Sequence, residues 1–291
     1  MKKRALIYII IASVLWGTSA IFSFYLKQLG FSPLQMTAMR GTVSAVIMSV
    51  YVLVRDKSLF KISLSELGLF ACGGVTMFLS AFLYYESINV SSVSMAVMLM
   101  YTAPVFVTGF SVIFLGEKLT WTKAISIICM LLGCAFITGI FGGIEFNAWG
   151  FAAGLLSGIS YSAYNVFTKI QMKNGSNPIK AVLYSFLVAT VLSALVSEPL
   201  AIEGIVMSKP IKAVLLMAGL GICTCVLPYF MYTMALKHLS AGTASAMGII
   251  EPMAATVLSV VFLGERLTIP ALCGIILILA SVYLISKAEA E

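Results

Sequence analysis

The feature that most constrains this chain is a succession of ten apolar stretches, each long enough to cross a lipid bilayer as a helix. A hydrocarbon core of about 30 Å requires about 20 helical residues. The stretches are 5–26, 33–54, 66–86, 92–115, 121–141, 149–172, 178–197, 211–233, 239–263 and 269–286. Lipid offers no hydrogen-bond partner to an unpaired backbone group, so only helices and closed β-barrels span a bilayer. Barrel strands are segments of about ten residues that alternate in polarity, which these long apolar stretches do not. The sequence therefore predicts an all-α membrane protein with ten transmembrane helices.

Composition excludes most soluble functions. Of the 291 residues, 61% are hydrophobic and 10% are charged, whereas a soluble domain carries about 25% charged residues. The net charge of +7 comes from 18 Lys and Arg that are scattered among short loops, so no nucleic-acid partner is predicted. The single histidine, His238, and six cysteines within apolar runs predict neither a metal site nor another cofactor. The sequence contains no cluster of histidine with acidic residues, so it does not predict an enzyme.

The distribution of basic residues predicts an orientation. If the N-terminus is cytoplasmic, 13 of the 18 Lys and Arg lie on that side and 4 lie on the other, while Arg40 lies within the second stretch. Loops rich in Lys and Arg stay in the cytoplasm. Both termini of this multi-pass membrane protein are therefore predicted to be cytoplasmic.

An internal repeat divides the chain. A shift of 148 residues aligns Phe82–Thr120 with Phe230–Thr268 without a gap, and 14 of the 39 positions are identical. Chance in so biased a composition gives about three identities. The alignment predicts two homologous halves, residues 5–141 and 149–286.

Each half contains five predicted spans. Because five is odd, the second half enters the membrane from the opposite side, and the repeats are inverted. Inverted repeats place a binding site near the midplane, between two gates, and broken helices in equivalent positions point to that site. Pro104 and Pro252 occupy equivalent positions in the repeat and are the predicted helix breaks.

Three motifs resemble a known family. They are Trp16-Gly17-Thr18-Ser19, Arg40 early in the second stretch, and the repeated Phe-Leu-Gly-Glu-(Lys/Arg)-Leu-Thr that contains Glu117 and Glu265. The chain resembles the EamA domains of the drug/metabolite transporter superfamily over nearly its whole length. The resemblance implies a ten-helix inner-membrane carrier with a central cavity, which moves amino acids, related metabolites, amines or drugs, often outward. Tyr161-Ser162-Ala163 replaces the tryptophan motif in the second half, so a role of Trp16 is not mirrored there.

Two charged residues within spans are candidates for transport. Glu251 lies near the middle of the ninth stretch, where an unpaired carboxylate costs several kcal/mol. It is a candidate proton acceptor, a partner for a substrate amine or a partner for Arg40; alternatively, it is a structural hydrogen-bonding group between helices. Arg40 is a candidate for binding a substrate carboxylate, and its alternatives are a structural ion pair or an anchor that reaches the interface.

Aromatic and polar side chains complete the candidate site. The aromatic side chains are candidates for stacking on a ring or a cation of the solute. Alternatively, they are packing or interfacial residues. Asn165 belongs to a polar stripe on the sixth stretch, spaced by three and four residues, which either lines a wet cavity or packs through interhelical hydrogen bonds. The predicted substrate-binding residues are Trp16, Arg40, Tyr84, Tyr101, Tyr161, Asn165, Tyr232 and Glu251, with Glu251 also the candidate for proton coupling.

These features predict a secondary transporter that moves a small, amphipathic organic solute by alternating access. The resemblance implies that this solute is an amino acid or a related metabolite and that the direction is export. The sequence contains no phosphate-binding loop, so the solute gradient or coupled protons supply the energy. The expected partners are the solute and the lipid bilayer. A passive facilitator or channel-like permease for small solutes is the alternative.

Overall fold

The chain is described by a computed structural model that covers residues 1–139, 147–197 and 199–290. Within these ranges all regular structure is helical. The helices are α1 (Lys2–Gly17), α2 (Ser19–Gln28), α3 (Pro33–Arg55), α4 (Leu64–Val90), α5 (Val93–Met100), α6 (Ala103–Leu115), α7 (Trp121–Thr138), α8 (Ala148–Lys173), α9 (Pro178–Ala194), α10 (Pro199–Ser208), α11 (Pro210–Gly221), α12 (Leu227–Leu236), α13 (Ala241–Met247), α14 (Ile250–Leu263) and α15 (Ile269–Ala290). A 3₁₀ turn at Lys57–Phe60 and a π-helical turn at Ile222–Val226 complete the set.

Eight helical segments of the described chain are long and apolar enough to cross a membrane. They are Lys2–Gln28, Pro33–Arg55, Leu64–Val90, Val93–Leu115, Trp121–Thr138, Pro210–Leu236, Ala241–Leu263 and Ile269–Glu289. The protein is therefore a multi-pass membrane protein. These segments match eight of the ten stretches read from the sequence, although residues 140 and 141, at the end of the fifth stretch, lie outside the described residues.

The other two stretches are helices that fall outside this group of eight. The 26-residue α8 is long enough, but its polar side chains lower its hydropathy. The apolar α9 has 17 residues, at the lower end of the range of about 17–25 residues that spans a bilayer. Length and composition by themselves thus support eight spans and not ten.

Local sequence signals start and stop the helices. Ser32 with Gln35, and Ser63 with Glu66, form capping boxes in which side chain and backbone satisfy each other at the start of α3 and α4. At the other end, Gly116 has a φ of 66°, a left-handed conformation that ends α6 and favours glycine. These devices position the loops without help from distant residues.

Several spans are interrupted. α1 passes into α2 at Thr18, and the π-helical turn separates α11 from α12. α5 gives way to α6 at residues 101–102, and α13 gives way to α14 at residues 248–249. The last two interruptions coincide to within one residue under the 148-residue shift, so each half carries a broken helix in nearly the same place.

The halves pack through reciprocal helix pairs. α4 packs along α8, and the corresponding α11 and α12 pack along α2 and α1. α3 pairs with α9, and α7 pairs with α15, which are in each case equivalent helices of the two halves. Each of these helix pairs joins one half to the other, and the α4–α8 pair has an equivalent in the packing of α11 and α12 on α2 and α1.

Small residues permit the closest of these contacts. A Cβ added to Gly154 or Gly158 of α8 would lie 2.7 Å or 2.9 Å from Leu99 atoms, and one on Gly150 would lie 2.8 Å from Ser91. The glycine stripe of α8 therefore lies directly on α5 and the end of α4.

Candidate substrate cavity

A cavity of about 480 Å³ lies between the helices. Its inner end is lined by Trp16, Tyr101, Tyr161 and Glu251, near the interruptions of the broken spans. It extends to Lys27, close to the end of α2, and to Glu265, beyond the end of α14. Because α1 and α2 run from Lys2 to Gln28 across the bundle, the cavity opens at the end opposite Lys2. This volume lies within the range of about 300–1,000 Å³ that is typical of small-molecule sites.

The structure brings six of the eight predicted binding residues to the cavity wall. These six are Trp16, Arg40, Tyr84, Tyr101, Tyr161 and Glu251. The other two, Asn165 and Tyr232, are fully buried, and the Tyr232 hydroxyl donates a hydrogen bond to Asn165 Oδ1. They lie behind the wall and hold α8 against α12.

The two intramembrane charges share the cavity. Arg40 comes from α3 and Glu251 from the first turn of α14, and each lies within electrostatic range of the other. The Glu251 side chain also interacts with that of Tyr101, at the interruption between α5 and α6. The cavity wall therefore contains both a basic and an acidic side chain.

An aromatic cluster forms the inner wall. The Trp16 ring lies 5.3 Å from that of Tyr229 and 5.4 Å from that of Tyr232, while Tyr164 lies 5.8 Å from Tyr229. Tyr229 lines the cavity, and Tyr164 and Tyr232 are buried behind it. Tyr229 packs edge-on against both Trp16 and Tyr164, an arrangement that aromatic pairs favour.

The polar stripe of α8 has a mixed role. Ser157 Oγ donates to the carbonyl of Ser80 at 2.8 Å, and Asn165 Nδ2 donates to the carbonyl of Tyr161 at 2.7 Å. Tyr161 is the member of the stripe that lines the cavity. Two members of the stripe, Ser157 and Asn165, thus make interhelical hydrogen bonds, to α4 and α12, whereas the Asn165 amide also bonds within α8.

The two prolines of the repeat follow the interruptions of the broken spans. Pro104 is the second residue of α6 and lines the cavity. Pro252 is the third residue of α14 and is buried. Proline has no N–H to donate, and the N–H groups in the first turn of a helix have no intrahelical partner. Both prolines are therefore well tolerated at these positions.

The opposite end of the bundle is closed by polar contacts around the start of α13. The Glu117 carboxylate accepts hydrogen bonds from the backbone N–H of Ala241 at 2.8 Å and of Gly242 at 3.4 Å. Lys169 Nζ donates to the carbonyls of Leu236 and Leu239, both at 2.5 Å. These contacts join the ends of α6 and α8 to the segment that connects α12 with α13.

The C-terminal helix adds to the same closure. Glu289 forms an ion pair with Lys123 at 3.4 Å and accepts a hydrogen bond from Thr243 Oγ1 at 2.6 Å. Lys123 Nζ also donates to Ser240 Oγ at 2.9 Å. We refer to Glu117, Lys123, Lys169, Ser240, Thr243 and Glu289 as the closed-end network.

Sequence reasoning missed most of this network. Only Glu117 carried a signal, through the repeated motif, whereas Lys123 and Glu289 are 166 positions apart and meet only in the folded bundle. Lys2 Nζ donates to the Glu289 carbonyl at 2.8 Å, so the start of α1 and the end of α15 both lie at the closed end.

Comparisons with known proteins agree with this architecture. The model of the EamA-like transporter family matches residues 3–139 and 148–287. The chain is similar to an uncharacterized transporter of Clostridium kluyveri, with 28% identity covering 95% of this chain and 91% of that protein. It is also similar to an uncharacterized transporter of Archaeoglobus fulgidus, with 27% identity over 94% of this chain and 93% of that protein. A solved crystal structure with 18% identity superposes with a TM-score of 0.82 over 100% of this chain and 99% of the other, which shows that the two share a fold.

Proposed function

The chain belongs to the EamA-like transporter family, and from that premise we propose that it is a secondary transporter for a small amphipathic organic solute. The solute is an amino acid or a related metabolite, moved by alternating access, with export as the direction that the family resemblance implies. One observation carries the proposal: the cavity of about 480 Å³ contains both Arg40 and Glu251 and opens at one end of the bundle, while polar contacts close the other.

The proposed topology has ten spans. In it α8 and α9 also cross the bilayer, and residues 5–141 and 149–286 form two inverted five-helix halves. The reciprocal helix pairs and the equivalent interruptions of two spans support this arrangement. Both termini lie at the closed end, and the basic-residue count assigns that end to the cytoplasm. The cavity then faces the outside of the cytoplasmic (inner) membrane.

Site-directed labelling tests the inversion. Lys118 and Arg266 are equivalent residues of the repeated motif, both exposed, so inverted halves place them on opposite faces of the membrane. A single cysteine at each position is treated with a membrane-impermeant maleimide in intact cells and in inverted vesicles, with the wild type as background. Opposite accessibility is expected; labelling of both from the same side refutes the inverted arrangement.

The charges of the cavity determine the solute class that we propose. The Arg40 guanidinium suits a carboxylate, and Glu251 suits an amine. The aromatic wall accepts the apolar part of the solute. A molecule with both charges and an apolar side chain satisfies all three.

A thermal-shift panel tests the solute class. Amino acids, their methyl esters and the corresponding amines are added to the purified protein, because binding to the native state stabilises it by about 2.7 kcal/mol at 100 times Kd. We expect the free acids to raise the melting temperature and the esters to fail. In Arg40→Gln the acids should lose this advantage, and an unchanged preference for acids in that variant removes Arg40 from carboxylate binding.

Counterflow separates a carrier from a passive pore. Proteoliposomes are preloaded with the best unlabelled solute from the panel, and entry of the labelled solute is followed. A carrier that alternates shows accelerated exchange, whereas a facilitator that forms a continuous pore shows none.

Glu251 is the proposed site of proton coupling. Glu251→Gln keeps the size and hydrogen-bonding capacity of the side chain but cannot carry the proton. We expect this variant to fold normally and to lose the pH dependence of uptake in proteoliposomes, with Glu203→Gln, an exposed carboxylate of α10, as the matched control. Retained pH dependence in Glu251→Gln eliminates the coupling role.

A further inference from the structure

The two glutamates of the repeated motif lie in different surroundings. Glu117 is half-buried, and its carboxylate accepts hydrogen bonds from the N–H groups of Ala241 and Gly242 at the start of α13. Glu265, its equivalent under the 148-residue shift, is exposed and lines the open mouth of the cavity. One copy is therefore docked on a helix and the other faces the cavity opening.

Local backbone geometry does not explain this difference. The preceding glycines, Gly116 and Gly264, have φ values of 66° and 72°. The Glu117 N–H donates to the Ser111 carbonyl at 3.1 Å, and the Glu265 N–H donates to the equivalent carbonyl of Ser259 at 3.4 Å. The two glutamates leave their helices in the same way, so the difference lies in the position of the partner helix.

The partner helices are also equivalent in sequence. α13 follows Ser240 and α5 follows Ser92, and each serine caps its helix by accepting a hydrogen bond from the residue three positions later. The first residue of α13, Ala241, is fully buried, whereas the first residue of α5, Val93, is 58% exposed. The two helices thus begin with the same kind of serine cap, but the first residue of α5 is exposed whereas that of α13 is buried.

We propose that the two glutamates exchange roles during the transport cycle. When the cavity mouth closes, the Glu265 carboxylate docks on the first N–H groups of α5, at Val93 and Ser94, as Glu117 docks on α13 in this structure. When the closed end opens, Glu117 leaves α13. The first N–H groups of a helix have no intrahelical partner and lie at its positive end, so each docking satisfies both partners. The inference rests on the proposed alternating access and assigns residues to its two gates.

Buried polar atoms of α6 and α13 support an opening on the closed side. Among the described residues, Thr108 Oγ1 and Ser111 Oγ of α6 and Ser245 Oγ of α13 are buried without a hydrogen-bond partner, and Ser245 belongs to the cavity wall. A Cβ added to Gly242 would lie 2.8 Å from Thr108 Oγ1, so the start of α13 rests directly on α6. Unpaired buried hydroxyls are costly, and separation of α13 from α6 would hydrate Thr108. This contact is where we expect the closed side to open when Glu117 is released.

Two symmetry-related label pairs measure the exchange. Leu119 with Lys237 reports on the closed end, and the equivalent Leu267 with Asn89 reports on the mouth; all four residues are exposed. Spin labels are attached through ketone-bearing residues, so the native cysteines stay in place. Distances are measured by pulsed electron resonance in lipid nanodiscs without any solute.

Removal of Glu117 should shift the bundle toward the state in which the closed end is open. In Glu117→Ala we expect the ratio of closed to open populations at Leu119/Lys237 to fall at least about tenfold, because a charge-assisted contact is lost. In the same Glu117→Ala variant, the distance between labels at Leu267 and Asn89 should shorten. Glu117→Gln, which keeps the shape, should show a smaller shift in the same direction, and Glu203→Ala, which removes an exposed carboxylate, should show none.

The double variant decides whether Glu265 is the matching gate. If Glu265 stabilises the other state, adding Glu265→Ala to Glu117→Ala returns the population ratio to within about threefold of the wild type. A double variant that behaves like Glu117→Ala refutes the exchange, and so does Glu117→Ala with distances like those of Glu203→Ala. Because no solute is present, a distance change accompanied by failed counterflow contradicts the transport proposal and leaves the gate assignment intact.

Discussion

Gly17, in the tryptophan motif of the first span, is expected to set the distance between α1 and the helix that carries Glu251. A Cβ built on Gly17 would lie 2.8 Å from the Cβ of Ala254 and 2.8 Å from the backbone nitrogen of Ala255, both in α14. Real Cβ atoms do not approach other heavy atoms so closely, and a backbone atom cannot rotate away. Gly17→Ala must therefore push α14 away from α1.

The magnitude follows from two opposing terms. Overpacking of a tight core costs about 1–3 kcal/mol. Replacing a helical glycine by alanine recovers about 0.5–1 kcal/mol of backbone entropy. Gly109 of α6 has nothing within 4 Å of its added Cβ, so Gly109→Ala retains only the favourable term. The two variants should therefore differ in free energy of unfolding by about 1–3 kcal/mol.

Unfolding by SDS titration in mixed micelles measures this difference. We expect Gly17→Ala to be less stable than the wild type and Gly109→Ala to be equal or more stable. Gly17→Ala should also weaken the thermal shift produced by solute, because Glu251 moves with α14. Equal stability of the two variants would show that α1 and α14 do not make the close contact described, and the reasoning would fail.

Three further stability predictions use the same titration. Tyr232→Phe removes the donor to buried Asn165 Oδ1 and should cost about 1–3 kcal/mol; a loss below about 0.5 kcal/mol would contradict the pairing. Lys169→Met leaves two carbonyls at the end of α12 without their donor and should also cost about 1–3 kcal/mol, whereas an unchanged midpoint would show that this part of the closure is not formed. Lys180→Met breaks the ion pair with Glu66, joined at 2.9 Å with a partly exposed carboxylate, and should cost at most about 1 kcal/mol. That small cost should disappear in about 1 M salt, and a larger, salt-independent loss would refute the assignment of a surface pair.

Hydropathy and local signals made the helices predictable. The long apolar stretches, the capping serines Ser32 and Ser63, and Gly116 at the end of α6 act within a few residues of the chain. Helix formation and membrane insertion depend on the composition of each segment, so these features are readable without contacts. α8 marks the limit of this reasoning, since its stripe of polar side chains lowers the hydropathy of a helix that packs against α4.

Membership of the EamA-like transporter family was also predictable, because the motifs are local in sequence, and the family match confirms the resemblance. Which residues line the cavity was harder to predict from the sequence. Tyr161 and Asn165 share one stripe of α8, but Tyr161 lines the cavity and Asn165 is buried against Tyr232. Side-chain spacing identifies a common helix face, whereas the neighbouring helices decide which part of that face is covered.

The repeated motif separates the two contributions most clearly. The chain's own residues set identical glycine turns before Glu117 and Glu265, because a left-handed turn depends on the residue that adopts it. Only the tertiary structure placed the start of α13 beneath the first glutamate and left the second at an open mouth. The two equivalent segments have closely similar sequences and backbone geometry, so the difference between them arises from how the helices of the whole bundle are arranged.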